Sequence, residues 1–166
     1  MLFRSAETCP QFLFLTAADL GIDDSYLGAK CVCSPPPRDA SNQQVIWDGL
    51  ADGLFTVLSS DHAPFNYDDP AGKKPGGREV PFAYIPNGIP GIETRLPLLY
   101  SEGVLGGRIT VNRFVELTST QPAKAYGLHP RKGTIAIGSD ADLVIWDHRE
   151  LTLTNAMLHH AVDYTP

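Results

Sequence analysis

Residues 41–61 read Ser41-Asn42-Gln43-Gln44-Val45-Ile46-Trp47-Asp48-Gly49-Leu50-Ala51-Asp52-Gly53-Leu54-Phe55-Thr56-Val57-Leu58-Ser59-Ser60-Asp61. Ile46, Leu50 and Leu54 recur at every fourth position with Trp47 beside them, so the spacing predicts a helix over about 42–54 with one apolar face. Asp39 or Ser41 can cap its start, and Gly53 stands near its stop. Phe55 to Ser60 is rich in strand formers. A helix feeding a buried parallel strand is the alternation of an α/β protein. Asp61 then falls at the carboxyl end of the strand, and in α/β barrels the loops at that end build the active site.

Working outward, Phe12, Leu13, Phe14 and Leu15 form an apolar run that suits a strand buried on both sides or an apolar turn entering a helix. Residues 29–37 read as a short extended segment, closed by Pro35-Pro36-Pro37. Residues 62–90 form a long loop carrying Pro64, Pro70, Pro75, Pro81, Pro86 and Pro90 with Gly72, Gly76, Gly77 and Gly88, which reads as a lid or a binding loop, with a disordered surface insertion as the alternative. Helices are predicted near 91–102 (Ile92, Leu96, Leu99, with Gly103 as a stop) and near 111–118 (Phe114, Leu117). Thr120-Gln121-Pro122 reads as a further helix start, with Gly127 as its end. After Pro130 the texture changes. Asp140 to Asp147 reads as one strand and Leu151-Thr152-Leu153-Thr154 as another, with no helix between, so a small β module is expected over 131–166 behind an α/β unit over 1–130.

The chain has 166 residues, 43% of them hydrophobic, which is one domain's worth and argues against wholesale disorder. A complete (β/α)8 barrel usually needs about 250 residues. The opening in mid-strand and the stop within the β module suggest a piece of something larger. The net charge of −6, with no basic cluster longer than Lys73-Lys74 or Arg131-Lys132, argues against a nucleic-acid partner. No run approaches the ~20 apolar residues of a membrane span. Met1-Leu2-Phe3-Arg4-Ser5 lacks the basic stretch and apolar core of a signal peptide. Cys9, Cys31 and Cys33 are odd in number and read as reduced, buried thiols of a cytoplasmic protein. Cys31-Val32-Cys33 has no second cysteine pair with which to complete a zinc site.

Ser59-Ser60-Asp61-His62-Ala63-Pro64-Phe65 is the stretch richest in chemistry. An ionised Asp61 at a strand's end can ligate a metal through one oxygen or take up a proton. It can equally cap the turn that Pro64 shapes. Neighbours on a strand point to opposite sides, so His62 is expected to support the site from behind rather than share a metal with Asp61. His129, His148, His159 and His160 form no recognised ligand spacing, and His159-His160 reads as a surface pair. Ser34 has no nameable partner base and is a poor candidate nucleophile.

Several stretches together resemble the dihydropyrimidinase/D-hydantoinase branch of the amidohydrolases. They are Glu7-Thr8-Cys9-Pro10-Gln11-Phe12-Leu13-Phe14-Leu15-Thr16, Cys33-Ser34-Pro35-Pro36-Pro37-Arg38 and Ser60-Asp61-His62-Ala63-Pro64-Phe65. Ile85-Pro86-Asn87-Gly88-Ile89-Pro90-Gly91-Ile92-Glu93-Thr94-Arg95, Phe114-Val115-Glu116-Leu117-Thr118-Ser119-Thr120 and the run from Arg131 to Asp147 continue the series in family order. Phe12 stands where the family often has Tyr.

The resemblance implies a fold and a chemistry. The fold is the C-terminal portion of a metal-dependent (β/α)8 barrel with its closing helices, followed by the start of a small β-sandwich. The chemistry is hydrolysis of a C–N bond in a small cyclic amide or imide, a dihydropyrimidine or hydantoin. It uses two divalent metal ions, zinc as a rule, in a homotetramer. Asp61 matches the carboxylate after the final barrel strand, which binds one metal and carries a proton to the leaving nitrogen. Ser34 and Asn87 match positions whose backbone groups hydrogen-bond the ring. The family's H-x-H pair, carboxylated lysine, two further histidines and tyrosine have no counterpart here, so the segment alone is expected to be inactive. The alternatives are a non-catalytic dihydropyrimidinase-like scaffold, whose members lack the carboxylate at the position of Asp61, and an allantoinase-like hydrolase.

Overall fold

The computed structural model describes residues 5–21, 26–76 and 79–165. The reading of residues 1–4, and Gly77, lie outside these. In chain order the first elements are β1 (Glu7–Thr8), α1 (Gln11–Phe14), α2 (Ser41–Asp52) and β2 (Val57–Leu58). β1 and β2 pair in parallel, with Glu7 opposite Val57 and Thr8 opposite Leu58. The helix-to-strand unit thus forms where its pattern predicts, with a strand shorter than the apolar run. Gly53 takes a left-handed φ of 88° behind α2, a conformation that costs glycine little. Neither Asp39 nor Ser41 caps α2 through its side chain; Ala40 is the cap residue. The Asp39 carbonyl accepts from the Asn42 backbone N–H at 2.9 Å instead.

The run at 12–15 is neither a strand nor a turn into a helix: Phe12 to Phe14 wind inside the single-turn helix α1, with Leu13 buried and Leu15 as its C-cap. The first part of 29–37 is not extended: Leu27–Cys31 winds as a 3-10 helix, and extension begins at Val32. Within 62–90 a short 3-10 turn at Phe82–Tyr84 interrupts the loop.

α3 (Arg95–Leu98) widens into π-helical winding over Leu99–Leu105. Gly103 lies inside this rod and does not stop it. Its hydrogen serves packing, because a Cβ there would stand 3.1 Å from Ile109 and 3.2 Å from the Trp47 ring. α4 (Val111–Val115) starts on Thr110, whose Oγ1 accepts from the Arg113 backbone N–H at 3.1 Å. It continues through π-helical winding at Glu116–Thr120 into α5 (Gln121–Ala125). The predicted restart at Thr120-Gln121-Pro122 is therefore one continuous rod. Pro122 has no N–H and crowds the preceding turn, so a widened turn before it keeps the rod whole. The rod ends as predicted near Gly127, with Leu128 N–H returning to the Ala123 carbonyl at 2.8 Å.

The main core gathers Leu13, Trp47, Leu50, Leu58, Leu99, Ile109, Phe114 and Leu117 between the parallel pair and the two rods. A second cluster of Ala29, Val32, Tyr67, Ile85 and Tyr164 ties the 3-10 helix to the long loop and to the chain's last residues. Asp163 closes this contact by accepting backbone N–H groups of Tyr67 at 2.6 Å and Asp68 at 2.9 Å. Residues 141–154 form neither helix nor strand ladder, although both stretches alternate like strands. A strand exists only where a neighbouring backbone completes its hydrogen bonds. The Trp146 ring nevertheless packs at a tilt on Tyr100, centroids 4.9 Å apart, and edge-on to Phe114 at 5.5 Å, which anchors this segment to the rods.

Candidate functional site

Asp61 follows β2 with a left-handed φ of 47°. That region is sparsely populated by residues other than glycine, although aspartate tolerates it better than most. The backbone thus turns sharply at the strand's end, the kind of local strain that collects at functional sites. Parallel pairing with β1 sets Gln11 across from it, and Gln11 Nε2 donates to Asp61 Oδ2 at 2.9 Å. Gln11 is itself buried, so its amide is a fixed donor. The Oδ1 atom has no hydrogen bond among the described residues, and the residue is exposed. Asp61 is therefore held by one oxygen and open at the other, which an anchored ligand or proton carrier requires.

Three loops meet beside it. The Ser59 backbone N–H donates to the Thr8 carbonyl at 3.0 Å, extending the parallel pairing. His62 bridges in parallel to Ile89, and the Ala63 N–H donates to the Ile89 carbonyl at 3.2 Å. The Gly88 N–H donates to the Val32 carbonyl at 3.0 Å. Gly88 has a φ of +129°, and a Cβ there would sit 2.4 Å from the Ala63 Cβ and 2.6 Å from its carbonyl oxygen. Only glycine lets the three segments approach this closely. Main chain flanking Ser34 and Asn87 is thereby stitched to the strand end that carries Asp61. Both residues are exposed, and among the described residues no hydrogen bond joins the side chains of Asp61, Ser34 and Asn87.

His62 turns away from Asp61. Its Nδ1 accepts the backbone N–H groups of Gly91 at 3.0 Å and Ile92 at 3.3 Å, so the neutral ring carries its proton on Nε2. His159 Nδ1 lies 2.7 Å from Glu93 Oε1. Their mutual hydrogen bond raises the histidine and lowers the glutamate from their ordinary values. His159 is exposed, as a surface pair predicts, whereas His160 is half-buried and meets Asn155 Oδ1 at 2.9 Å.

Cys9, Cys31 and Cys33 are all free and buried. Burial first, and the negative Asp61 second, push the Cys33 thiol up to about 11, and the same two influences raise Cys9, where a hydrogen bond with Ser59 partly opposes them. These thiols stay protonated and unreactive at neutral pH.

Gln11 and Lys73 escaped the sequence reading. Gln11 leaves a faint signal, one amide heading an apolar run. Lys73 leaves none, because a Lys-Lys pair in a Gly/Pro-rich loop reads as solvated. Yet Lys73 has 0% exposure. Burial lowers its pKa from the ordinary 10.5 to about 8, with Cys33 and then Cys31 opposing the shift. Above the lowered value the native state has shed a proton that the unfolded chain keeps until its ordinary one. Unfolding free energy therefore rises with pH between about 8 and 10.5. Urea unfolding at stepped pH should show this rise, and Lys73→Met should lack it.

A zinc-type cation accepts carboxylate oxygen, and an Asp61 with one open oxygen fits one ligand position. Among the described residues no group of three or more His, Cys, Asp or Glu could hold a metal ion. No helix there is long and apolar enough to cross a membrane.

The described residues thus set a carboxylate just past β2, steadied by a buried amide, with peptide groups converging beside it. The family model described as "Amidohydrolase family" matches residues 20–164. The chain is 46% identical to the D-hydantoinase of Rhizobium radiobacter over 161 residues, 96% of this chain and 34% of that protein. It is 48% identical to the D-hydantoinase of Geobacillus stearothermophilus over 167 residues, 96% of this chain and 33% of that protein. The solved D-hydantoinase (dihydropyrimidinase) from Thermus sp. superposes with a TM-score of 0.88 at 40% identity, over 97% of this chain and 34% of that one. The chain belongs to the dihydropyrimidinase/D-hydantoinase branch of the amidohydrolase family. It spans about a third of the length of the curated relatives it matches. The chain is homologous to TIM-barrel amidohydrolases with an attached β-sandwich. The two-stranded sheet described here does not itself close a barrel.

Proposed function

We propose that this chain supplies one wall of the active site of a cyclic amidase, which opens a dihydropyrimidine, hydantoin or related ring imide by adding water across its C–N bond. The observation that supports this reading best is Asp61, three residues past β2, bonded through one oxygen to Gln11 and without a hydrogen bond at the other among the described residues. Divalent metal, when bound, supplies a Lewis acid and an activated water at neutral pH. Asp61 would hold such a metal through its open oxygen, and its carboxylate takes up the proton that the attacking water loses and delivers it to the ring nitrogen as the C–N bond breaks. Main-chain groups at Ser34 and Asn87 bind the amide edge of the ring. Fixed peptide dipoles suit that task because they do not reorganise as charge develops on the carbonyl oxygen.

On this reading the remaining metal ligands come from polypeptide outside these 166 residues, as the chain spans about a third of its relatives' length and the described residues hold no metal-binding group, and the 166 alone are expected to turn over no substrate. A cytoplasmic homotetramer belongs to the same reading. The test is the complete polypeptide that carries this chain, purified with zinc and assayed on dihydrouracil and hydantoin. Ring opening is expected with both or either. A zinc-loaded protein that opens neither ring overturns the proposal.

A further inference from the structure

Lys73 is the largest fully buried side chain among the described residues. A lysine is almost never fully buried unless paired, and no carboxylate lies within ion-pair distance of it among the described residues. Its ammonium instead donates to two main-chain carbonyls, Val32 at 2.8 Å and Pro86 at 2.6 Å. The Phe65 ring lies 5.8 Å away. The backbone is shaped to place it: the Lys73 N–H donates to the Asn66 carbonyl at 2.9 Å, and a Cβ on the preceding Gly72 would stand 2.0 Å from that same oxygen.

The two carbonyls identify its task. The Pro86 C=O and the Asn87 N–H belong to one planar peptide group, as do the Val32 C=O and the Cys33 N–H next to Ser34. A cation on each carbonyl fixes the plane of that peptide and polarises it. The Val32 oxygen also accepts the Gly88 N–H, so one ammonium locks the spacing between the two segments. Stability is a poor explanation for such a group. Burying an ammonium without a carboxylate is costly, and an apolar side chain of similar length would avoid that cost.

We infer that Lys73 is a positioning residue for ring recognition: it sets the separation and orientation of the peptide groups at 32–33 and 86–87, through which the proposed amidase reads the amide edge of its substrate. This rests on the functional reading above, since Ser34 and Asn87 must face the ring for the spacing to matter.

Lys73→Met in the complete zinc-loaded polypeptide tests it, read by steady-state kinetics on the ring substrate, metal content, and hydrogen exchange at the Gly88 amide. Loss of binding shared by ground and transition states raises KM and leaves kcat in place. The expected result is a KM raised at least about tenfold, kcat within about threefold, unchanged metal content and faster Gly88 exchange. Unchanged KM and unchanged exchange in an active protein overturn the inference alone. A fall in kcat and metal content at constant KM also overturns it, because Lys73 would then serve the metal centre. If the unaltered protein opens no ring, the functional reading fails first and takes the inference with it. If Lys73→Met does not fold, Lys73→Arg decides. Its longer, planar donor set cannot reproduce the spacing, so KM should rise about three- to tenfold with kcat kept. A normal KM in that variant overturns the inference.

Discussion

Asp61→Asn in the complete polypeptide will lower kcat for ring opening by about 10²–10⁴-fold, the range lost when a positioned acid–base group is removed. The substitution is nearly isosteric. Asparagine keeps a carbonyl oxygen that can accept from Gln11 Nε2, so the hydrogen bond seen at 2.9 Å survives and the fold should be unchanged. What disappears is the charge that grips a cation and the basicity that carries a proton. Metal content should therefore fall along with kcat, while the thermal midpoint of the metal-free protein stays within a degree or two of the parent. Elemental analysis, kinetics and a melting curve on the same preparation separate these effects. A fully active Asp61→Asn variant would remove the role assigned to this residue.

The largest expected stability effect belongs to Arg113, far from any chemistry. Its Nε donates to the Leu50 carbonyl at 2.7 Å, one terminal nitrogen to the Phe55 carbonyl at 2.6 Å, and the other to Glu116 at 2.7 Å. One guanidinium thus clips the end of α2 and the approach to β2 onto α4. Arg113→Met retains the apolar stem but leaves two carbonyls of this corner without donors. At about 1–3 kcal/mol for each orphaned acceptor, and these two only partly buried, the loss should reach at most about 2–6 kcal/mol, measured as the shift in urea unfolding free energy. Arg113 is also the first cause that holds the Glu116 carboxyl below its usual range, with Gln121 second. That carboxylate contributes above its ordinary pKa and loses its contribution as pH falls through the lowered one. The parent should therefore show a steeper acid loss than the variant. A shift under about 0.5 kcal/mol would show that the corner is held by apolar packing alone.

Much of the local architecture is legible along the chain. The four-residue repeat of Ile46, Leu50 and Leu54 marks α2, and Gly53 and Gly127 mark helix ends in left-handed conformations. The site is partly legible too. Asp61 stands at a strand end because the strand's residue types stop there, and Gly88 is needed where three backbones crowd. Elsewhere local signals mislead. Gly103 reads as a stop but is a packing contact inside a rod, because a helix continues through glycine when its neighbours reward close approach. Thr120-Gln121-Pro122 reads as a start, but a widened turn absorbs the proline. Leu151 to Thr154 alternates like a strand, and alternation alone does not complete a ladder.

Patterns that repeat within a few residues were settled by the chain itself: the apolar face of α2, the left-handed ends at Gly53 and Gly127, the helix-then-strand order. Such features rest on backbone sterics and side-chain periodicity, which act between near neighbours. Lys73 and Lys74 show where that stops. They are adjacent and chemically identical, yet Lys74 pairs with Asp68 at the surface over the Tyr67 ring, while Lys73 is buried on carbonyls 41 and 13 residues away along the chain. Likewise Gln11 meets Asp61 only because β1 lies beside β2. Burial and partnership are set by segments distant in sequence that the folded chain brings together, and no short-range pattern encodes them.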